Sequence, residues 1–495
     1  MTGIDARING LAVLLAGALA VTAFAPYGWY PVAILSLAVL FRQWLKDSPR
    51  QAMLHGGLFG LGYFGVGVSW VFVSVHVHGH VPMAASVLVT LAFFSVLSLY
   101  PALLGYFLRR SIPASGGLIP LPVFAAGWIF AEWLRGWLFT GFPWLTIGSS
   151  QVDSLLAAYA PVAGVYGVGL AVALSAALLV ALLENRHRPA SLLLLVAIWA
   201  GAWFFERVEW TSPVDEQLQV ALVQGNIPQE EKWLPENVER TLARYTELSF
   251  SRQDIDLVVW PETAIPAFYH QIKDSFIPYI ESRLQERDMS MLTGVPVLDM
   301  SEWKYYNAVV SVGGERTFYY KRHLVPFGEY LPLREIIGTS LEALAVPNAD
   351  FSRGDDVQKL IEVAGYMVGT SICFEVVFSE EVAAQLPQAA LLVNVSNDAW
   401  FGNSLAPHQH LEMARMRSME TGRPMLRATN TGISAIIDYD GAIVARSAQF
   451  ETAVVTGSVT PRLGATPFTR LGNVLVIVLC SIFLLLGWLL CRRRS

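Results

Sequence analysis

Val368-Gly369-Thr370-Ser371-Ile372-Cys373-Phe374-Glu375 is the stretch on which the reading of this chain turns. A β-branched run stops at a thiol followed by an aromatic ring and a carboxylate, as in a strand that delivers a side chain at its carboxyl end. Layered α/β folds gather their sites at such strand ends. A thiol is weakly nucleophilic until a base takes its proton or a cation holds the thiolate. Two upstream segments carry such groups: Trp260-Pro261-Glu262 follows Leu257-Val258-Val259, and Lys321 lies in Tyr319-Tyr320-Lys321-Arg322-His323. Singly each is ordinary, because a lone Cys is usually a small core hydrophobe and a lone Glu or Lys is usually solvated. As an ordered set they point to a catalytic triad of Glu262, Lys321 and Cys373.

Around this stretch, residues 215–462 alternate short β-branched runs with amphipathic ones. Strands are expected at 219–223, 257–260, 291–297, 307–312, 366–373, 391–395, 425–429, 433–438 and 453–459. Helices are expected at 235–250, 273–285 and 406–420, the last capped through Asn403 and Ser404. The region therefore reads as an α/β layered domain.

The rest of the chain is of another kind. Over 495 residues, 54% hydrophobic against 15% charged, with mean hydropathy +0.45, is too apolar for a soluble protein. Apolar runs cover 8–25, 29–45, 54–75, 82–107, 117–138, 161–183, 190–206 and 472–490, each near the ~20 residues a spanning helix needs. The organisation expected is a seven-span block over 1–210, a water-soluble domain over 211–465, and an eighth span with a basic tail over 466–495. Cations mark alternate connections: Arg7; Arg42, Lys46 and Arg50; Arg109 and Arg110; Arg186 and Arg188; Arg492, Arg493 and Arg494. By the positive-inside rule both termini are cytoplasmic and the α/β domain lies outside. Arg135 dissents, and with Glu132 one turn away it reads as half of an ion pair in the bundle or at its outer edge. Ala23-Phe24-Ala25 resembles a signal-cleavage site, but Pro26 after it and the apolar run that follows favour an uncleaved first helix.

Cys373 lies alone in the α/β domain, since Cys480 and Cys491 belong to the last span and its inner end, so no bridge within the domain is possible. A net charge of −6 and pI near 5.9 argue against nucleic acid as a partner. His76, His78 and His80 could share one face of an extended segment, yet no acidic or Cys partner is near in sequence. They read as a polar interfacial loop and not as a metal site. With no phosphate-binding glycine motif or dinucleotide fingerprint, no cofactor is expected.

Trp260-Pro261-Glu262, the lysine in Tyr320-Lys321-Arg322-His323-Leu324-Val325-Pro326-Phe327-Gly328-Glu329-Tyr330, and Ile372-Cys373-Phe374-Glu375 resemble, in type and order, the Glu, Lys and Cys motifs of the nitrilase (carbon-nitrogen hydrolase) superfamily. Set outside the membrane between seven spans and an eighth, such a domain resembles one family within it, the bacterial apolipoprotein N-acyltransferases. The resemblance extends to Gln224-Gly225-Asn226-Ile227-Pro228-Gln229, to 394–402 and to 423–430, and so covers essentially the whole chain. It implies an α-β-β-α sandwich beside the membrane bundle, in the bacterial inner membrane with the catalytic domain periplasmic. Phe374 departs from the Tyr expected there in many members; an aromatic wall and a backbone N–H survive that change.

The resemblance implies transfer of a fatty acyl chain from a phospholipid, typically phosphatidylethanolamine, to the α-amino group of the diacylglyceryl cysteine that begins an apolipoprotein. Cys373 is then the nucleophile, Glu262 the general base, and Lys321 with the Phe374 N–H the oxyanion donors. Glu329 is expected to orient Lys321, and Glu375 to support the segment after the nucleophile. Trp233 has two readings, a substrate-contacting loop aromatic or an interfacial anchor. The apolar run 331–346 also has two, a mobile arm touching lipid or a helix in the domain core. A membrane-tethered hydrolase, in which water resolves the thioester, shares the triad; a transporter does not need Cys373.

Overall fold

The computed structural model describes residues 3–112, 120–330 and 351–492; the run 331–346 lies outside the described residues. Fourteen strands are described: β1 (Thr211–Pro213), β2 (Leu218–Gln224), β3 (Leu257–Val259), β4 (Ser290–Asp299), β5 (Lys304–Val312), β6 (Phe318–Tyr320), β7 (Ile361–Val363), β8 (Tyr366–Ile372), β9 (Leu391–Ser396), β10 (Met425–Thr429), β11 (Ala435–Ile437), β12 (Ile443–Arg446), β13 (Ala453–Val459) and β14 (Arg462–Gly464). They form two six-stranded sheets, β13-β2-β3-β4-β5-β6 and β12-β11-β10-β9-β8-β7, with a small β1-β14 ribbon.

The period of two along each strand builds the layers. In β2, Leu218, Val220 and Leu222 point between the sheets, where they join Val368, Ile372, Val393 and Leu426 of the other sheet in one core. Ala221 and Val223 point the other way, onto a second core with Tyr245, Ile277, Ile280 and Leu284, from the helices Val238–Ser249 and Phe276–Gln285. The opposite sheet turns Leu392, Met425 and Ala435 onto Leu411, Met413 and Met416 of the helix Ala406–Thr421. The domain is therefore an α-β-β-α sandwich.

The nine expected strands are all present, with ends shifted by up to three residues: Trp260 and Cys373 fall just beyond their strands, and β11 is shorter than 433–438. Five strands of three or four residues, β1, β6, β7, β12 and β14, were not expected; such lengths are too short for alternation to register. The helix expected from 273 starts at Phe276. The residue before the helix Ala406–Thr421 is Leu405, which gives no side-chain cap; of the two residues expected to cap it, Ser404 accepts from the first helical N–H, that of Ala406, at 3.2 Å.

Each of the eight apolar runs falls on a helix: Gly3–Ala20, Pro31–Lys46, Pro49–Gly67, Met83–Ser111, Pro120–Arg135, Ala160–Leu183, Arg188–Phe205 and Val474–Arg492. Three described helical segments, 83–111, 155–183 and 188–205, are long and apolar enough to cross a membrane, and a fourth if Pro49–Gly67 and Val71–His78, bent by 58°, count as one. The first and third helices touch at Gly62, where a Cβ would sit 2.1 Å from the Leu14 carbonyl oxygen. Residues 74–78 are helical, not an extended loop; they continue the bent segment, so alternate histidines do not share a face. Glu132 and Arg135 are both buried but do not pair. Glu132 accepts from Trp128 Nε1 and the Ile147 N–H, each at 3.0 Å, and Arg135 donates to the Phe142 and Trp144 carbonyls at 2.6 and 2.5 Å. The carbonyls of that loop take the guanidinium that an ion pair would have used.

The outer helix layer of the sandwich is shared with the helical block. Along Ala406–Thr421, Gln409 accepts from Trp144 Nε1 at 2.6 Å, Glu412 from the Ala25 N–H at 2.9 Å and Glu420 from the Val165 N–H at 2.6 Å. The last donor is free because Gly164, at φ +65°, breaks the helix around it. Buried carboxylates from one region thus satisfy buried amides of the other, and one continuous hydrophobic cluster runs through both.

Candidate active site

The carboxyl ends of strands from both sheets meet. β8 ends at Ile372, and Cys373 follows at φ +52°, a left-handed conformation that a non-glycine residue holds only when its surroundings enforce it. Here they do. The Cys373 carbonyl accepts from Asn394 Nδ2 at 3.4 Å and from His410 Nε2 at 3.2 Å, so that Nε2 carries a proton. His410 Nδ1 faces Arg427 at 2.9 Å and Asp398 Oδ1 at 3.0 Å. Burial, then Arg427, lowers the His410 pKa, with Asp398 and the Cys373 carbonyl opposing them. Burial raises Asp398, but Arg427 and His410 outweigh it and hold that carboxyl below its usual range.

Glu262 stands in the turn after β3. Its Oε1 accepts from Asn307 Nδ2 at 2.7 Å and its Oε2 from the Asn397 N–H at 2.9 Å. β4 passes so close that a Cβ at Gly294 would lie 2.4 Å from the Thr263 nitrogen and 2.5 Å from the Pro261 oxygen; only glycine admits this turn. Lys321, following β6, is 1% exposed. Its Nζ donates to Glu329 Oε1 at 2.8 Å and lies 3.7 Å from Glu262 Oε1. Burial alone would lower the ammonium's pKa, but Glu329, Glu262 and Cys373 hold it above the ordinary lysine value. Burial, then Glu262, pushes the Cys373 thiol up, with Lys321 opposing them. Burial and Glu262 thus favour the protonated thiol of Cys373, while Lys321 favours the thiolate.

Glu375 takes four donors: Ile372 N–H at 2.7 Å and Tyr319 O–H at 3.0 Å on Oε2, Arg322 N–H at 2.7 Å and His323 N–H at 3.1 Å on Oε1. It ties the lysine segment to the nucleophile turn. Burial raises its pKa, while the Ile372 N–H, Lys321 and the other backbone donors pull the other way. Phe374 lies parallel to Trp144 of the helical block, ring centroids 6.5 Å apart, and edge-on to Phe378 at 5.2 Å. Trp233 ends the short helix Gln229–Lys232 and is 48% exposed; no contact joins it to Cys373, Glu262 or Lys321.

A cavity of about 680 Å³ opens at the seam of the two regions, lined by Trp133 and Tyr166 on one side and His323, Val377, Phe378 and Arg417 on the other. Cys373 is not in its wall; the cavity reaches the nucleophile turn at Val377 and Phe378. Among the described residues no group of three or more His, Cys, Asp or Glu could hold a metal ion.

Asn307, Asn397, Asp398, His410, Arg427 and Tyr319 carry parts of this site that the sequence reading did not assign. Arg427 offered a signal: a charged residue inside the strand run Met425-Leu426-Arg427-Ala428-Thr429 needs a buried partner.

Known proteins match this architecture in both parts. Residues 219–468 match the family described as Carbon-nitrogen hydrolase, and residues 16–178 the Apolipoprotein N-acyltransferase N-terminal domain. An apolipoprotein N-acyltransferase of Methylococcus capsulatus is 47% identical over 98% of this chain and 96% of its own. Those of Nitrosomonas europaea and Pseudomonas putida are 44% and 40% identical, over 96% and 98% of this chain and 96% and 97% of theirs. The chain belongs to the apolipoprotein N-acyltransferase family: it is an acyltransferase of lipoprotein N-acylation and a polytopic inner-membrane protein.

Proposed function

We propose that the chain transfers a fatty acyl group from a membrane phospholipid, phosphatidylethanolamine, to the α-amino group of the diacylglyceryl cysteine of apolipoproteins, through a thioester on Cys373. The observation that carries this reading is the association of the buried Glu262 and Lys321 with the partly exposed Cys373. Glu262 takes the thiol proton as sulfur attacks the ester carbonyl. Lys321 and the Phe374 N–H receive the oxyanion. The C–O bond breaks, and the proton passes from Glu262 to the lysophospholipid oxygen. The amine then attacks the thioester and gives a proton to Glu262, the C–S bond breaks, and that proton passes to the Cys373 sulfur. Glu329 orients Lys321, Glu375 fixes the turn, and Trp233 meets substrate from the exposed loop.

The same reading takes all eight apolar helices as spans. It places both termini in the cytoplasm and the catalytic domain in the periplasm, with 1–210, 211–465 and 466–495 as the three parts. The cations at alternate connections support that orientation. Incubating the purified protein with phosphatidylethanolamine and a diacylated lipopeptide should yield lysophospholipid and triacylated peptide. Folded protein that yields neither would remove the assignment.

A further inference from the structure

Lys232 is a buried cation, next to the base, that the reaction scheme leaves unused. It closes the short helix Gln229–Lys232, is 2% exposed, and precedes the exposed Trp233. Its Nζ donates to the backbone carbonyl of Glu262 at 3.2 Å and to Thr263 Oγ1 at 2.5 Å. Thr263 has φ +45°, so the ammonium clamps the strained residue that follows the base. The other end of the helix grips the same carboxylate: Gln229 Oε1 accepts from Asn397 Nδ2 at 2.7 Å, and the Asn397 N–H donates to Glu262 Oε2 at 2.9 Å.

Charge gives a second, independent reason. Lys321 sits between two carboxylates, Glu262 and Glu329, which leaves one negative charge without a cation in a water-poor site. An ammonium is expensive to bury without an opposite charge nearby. Glu262 is the carboxylate that acts on Lys232, opposing the lowering by burial that brings Lys232 to about 8.

We propose that Lys232 is a positioning residue for the acyl-transfer base: it fixes the Glu262–Thr263 turn and balances the second carboxylate of the site, behind the group that receives the Cys373 proton. This rests on the reading of Glu262 as that base. The charged and titratable groups around Glu262 are Lys321 and Cys373 on one side, Glu329 beyond Lys321, and Lys232 behind the turn; the Asn307 amide and the Asn397 N–H complete its hydrogen bonds.

The test is acyl-enzyme formation by the full-length purified protein from phosphatidylethanolamine, followed against pH by rapid quench and intact mass. Lys232→Met keeps the stem and removes the charge. Loss of a nearby cation raises a carboxyl pKa, so the acid limb of the profile should move up by about one pH unit, with about tenfold slower acylation below it. Lys232→Arg should return the limb toward its original place. An unmoved limb in Lys232→Met with unchanged thermal stability overturns the proposal. Should that variant not fold, Thr263→Val decides: it removes the closer partner of Nζ but keeps the charge, so it should slow acylation with the limb in place, and a native rate would overturn the clamp. Glu262→Gln separates the two claims. If it still acylates with the original limb, the base assignment fails; if it does not acylate while Lys232→Met keeps the limb, only the role of Lys232 fails.

Discussion

The two sheets of the sandwich have the same succession of pairings and put it to different use. From β13 to β6, and from β7 to β12, the order is one antiparallel pair, two parallel pairs and two antiparallel pairs. The middle strand of each parallel trio, β3 or β9, ends in the segment that faces the other sheet: Glu262 after β3, and Asn397, which binds its carboxylate, after β9. Cys373, the proposed nucleophile, follows β8, at the side of its trio. Its buried carboxylate, Glu375, differs from Glu262 in kind. Glu262 accepts one hydrogen bond on each oxygen and faces an ammonium at 3.7 Å. Glu375 accepts two on each, three of the four from backbone. A carboxylate so fully occupied has no direction left for a substrate proton. Burial and nearness to the nucleophile therefore do not by themselves make a base; what matters is the lone pair left over.

That comparison breaks most visibly at the nucleophile. Cys373→Ser should lower acyl transfer by at least about a thousandfold, because a hydroxyl beside Glu262 is far harder to ionise than a thiol. The substitution is nearly isosteric, so thermal stability and membrane insertion should stay as they are. Substantial lysophospholipid release by the serine variant would move the nucleophile elsewhere.

Glu375→Gln should give an intermediate effect of another character. The amide must turn an NH2 group either toward Arg322 and His323 N–H or toward Ile372 N–H and Tyr319 O–H. The second choice is the milder, since a hydroxyl can reverse and accept, yet the Ile372 N–H is still opposed. An unpaired buried donor costs about 1–3 kcal/mol. The variant should therefore lose Tm together with roughly tenfold to a hundredfold of its acylation rate. Full stability with a rate as low as that of the serine variant would make Glu375 a chemical group and erase the distinction.

How far the sequence carries depends on the same contrast. Cys373, Glu262 and Lys321 could be singled out as candidates because each ends a β-branched run or stands in a distinctive motif, and Glu329 and Glu375 because they share those motifs; the structure brings Lys321 beside Glu262 and Glu329. The residues that hold them could not be singled out. His410 lies on a helix 37 positions after the carbonyl it binds, and Asn397 meets Glu262 across 135 positions. Such pairs are set by how the two sheets face each other, which no local period encodes. The Glu132–Arg135 pairing failed for a related reason: one-turn spacing permits a contact, but nearer backbone acceptors took the guanidinium. Lys232 stands in Glu230-Glu231-Lys232, a charged run with no local sign that its last member is buried.

The finest test of the comparison is Tyr319→Phe, which removes one of the four donors on Glu375 and leaves no donor stranded. Burial, then Glu375, holds the Tyr319 hydroxyl well above its ordinary pKa, so it donates throughout the working pH range. Its loss leaves Oε2 with the Ile372 N–H alone, and a hydrogen bond to a charged group is worth about 1.5–3 kcal/mol at most. The ring still fills its place between the sheets, where Tyr319 packs with the core. Because three donors still fix the carboxylate and the turn, acylation should stay within about threefold of native while Tm falls slightly. The shift should be the same at pH 6 and pH 9 if the pair only anchors the turn. A rate loss that grows toward either pH, with Tm unmoved, would mean that the Tyr319–Glu375 pair carries a proton, and that the anchor is part of the chemistry.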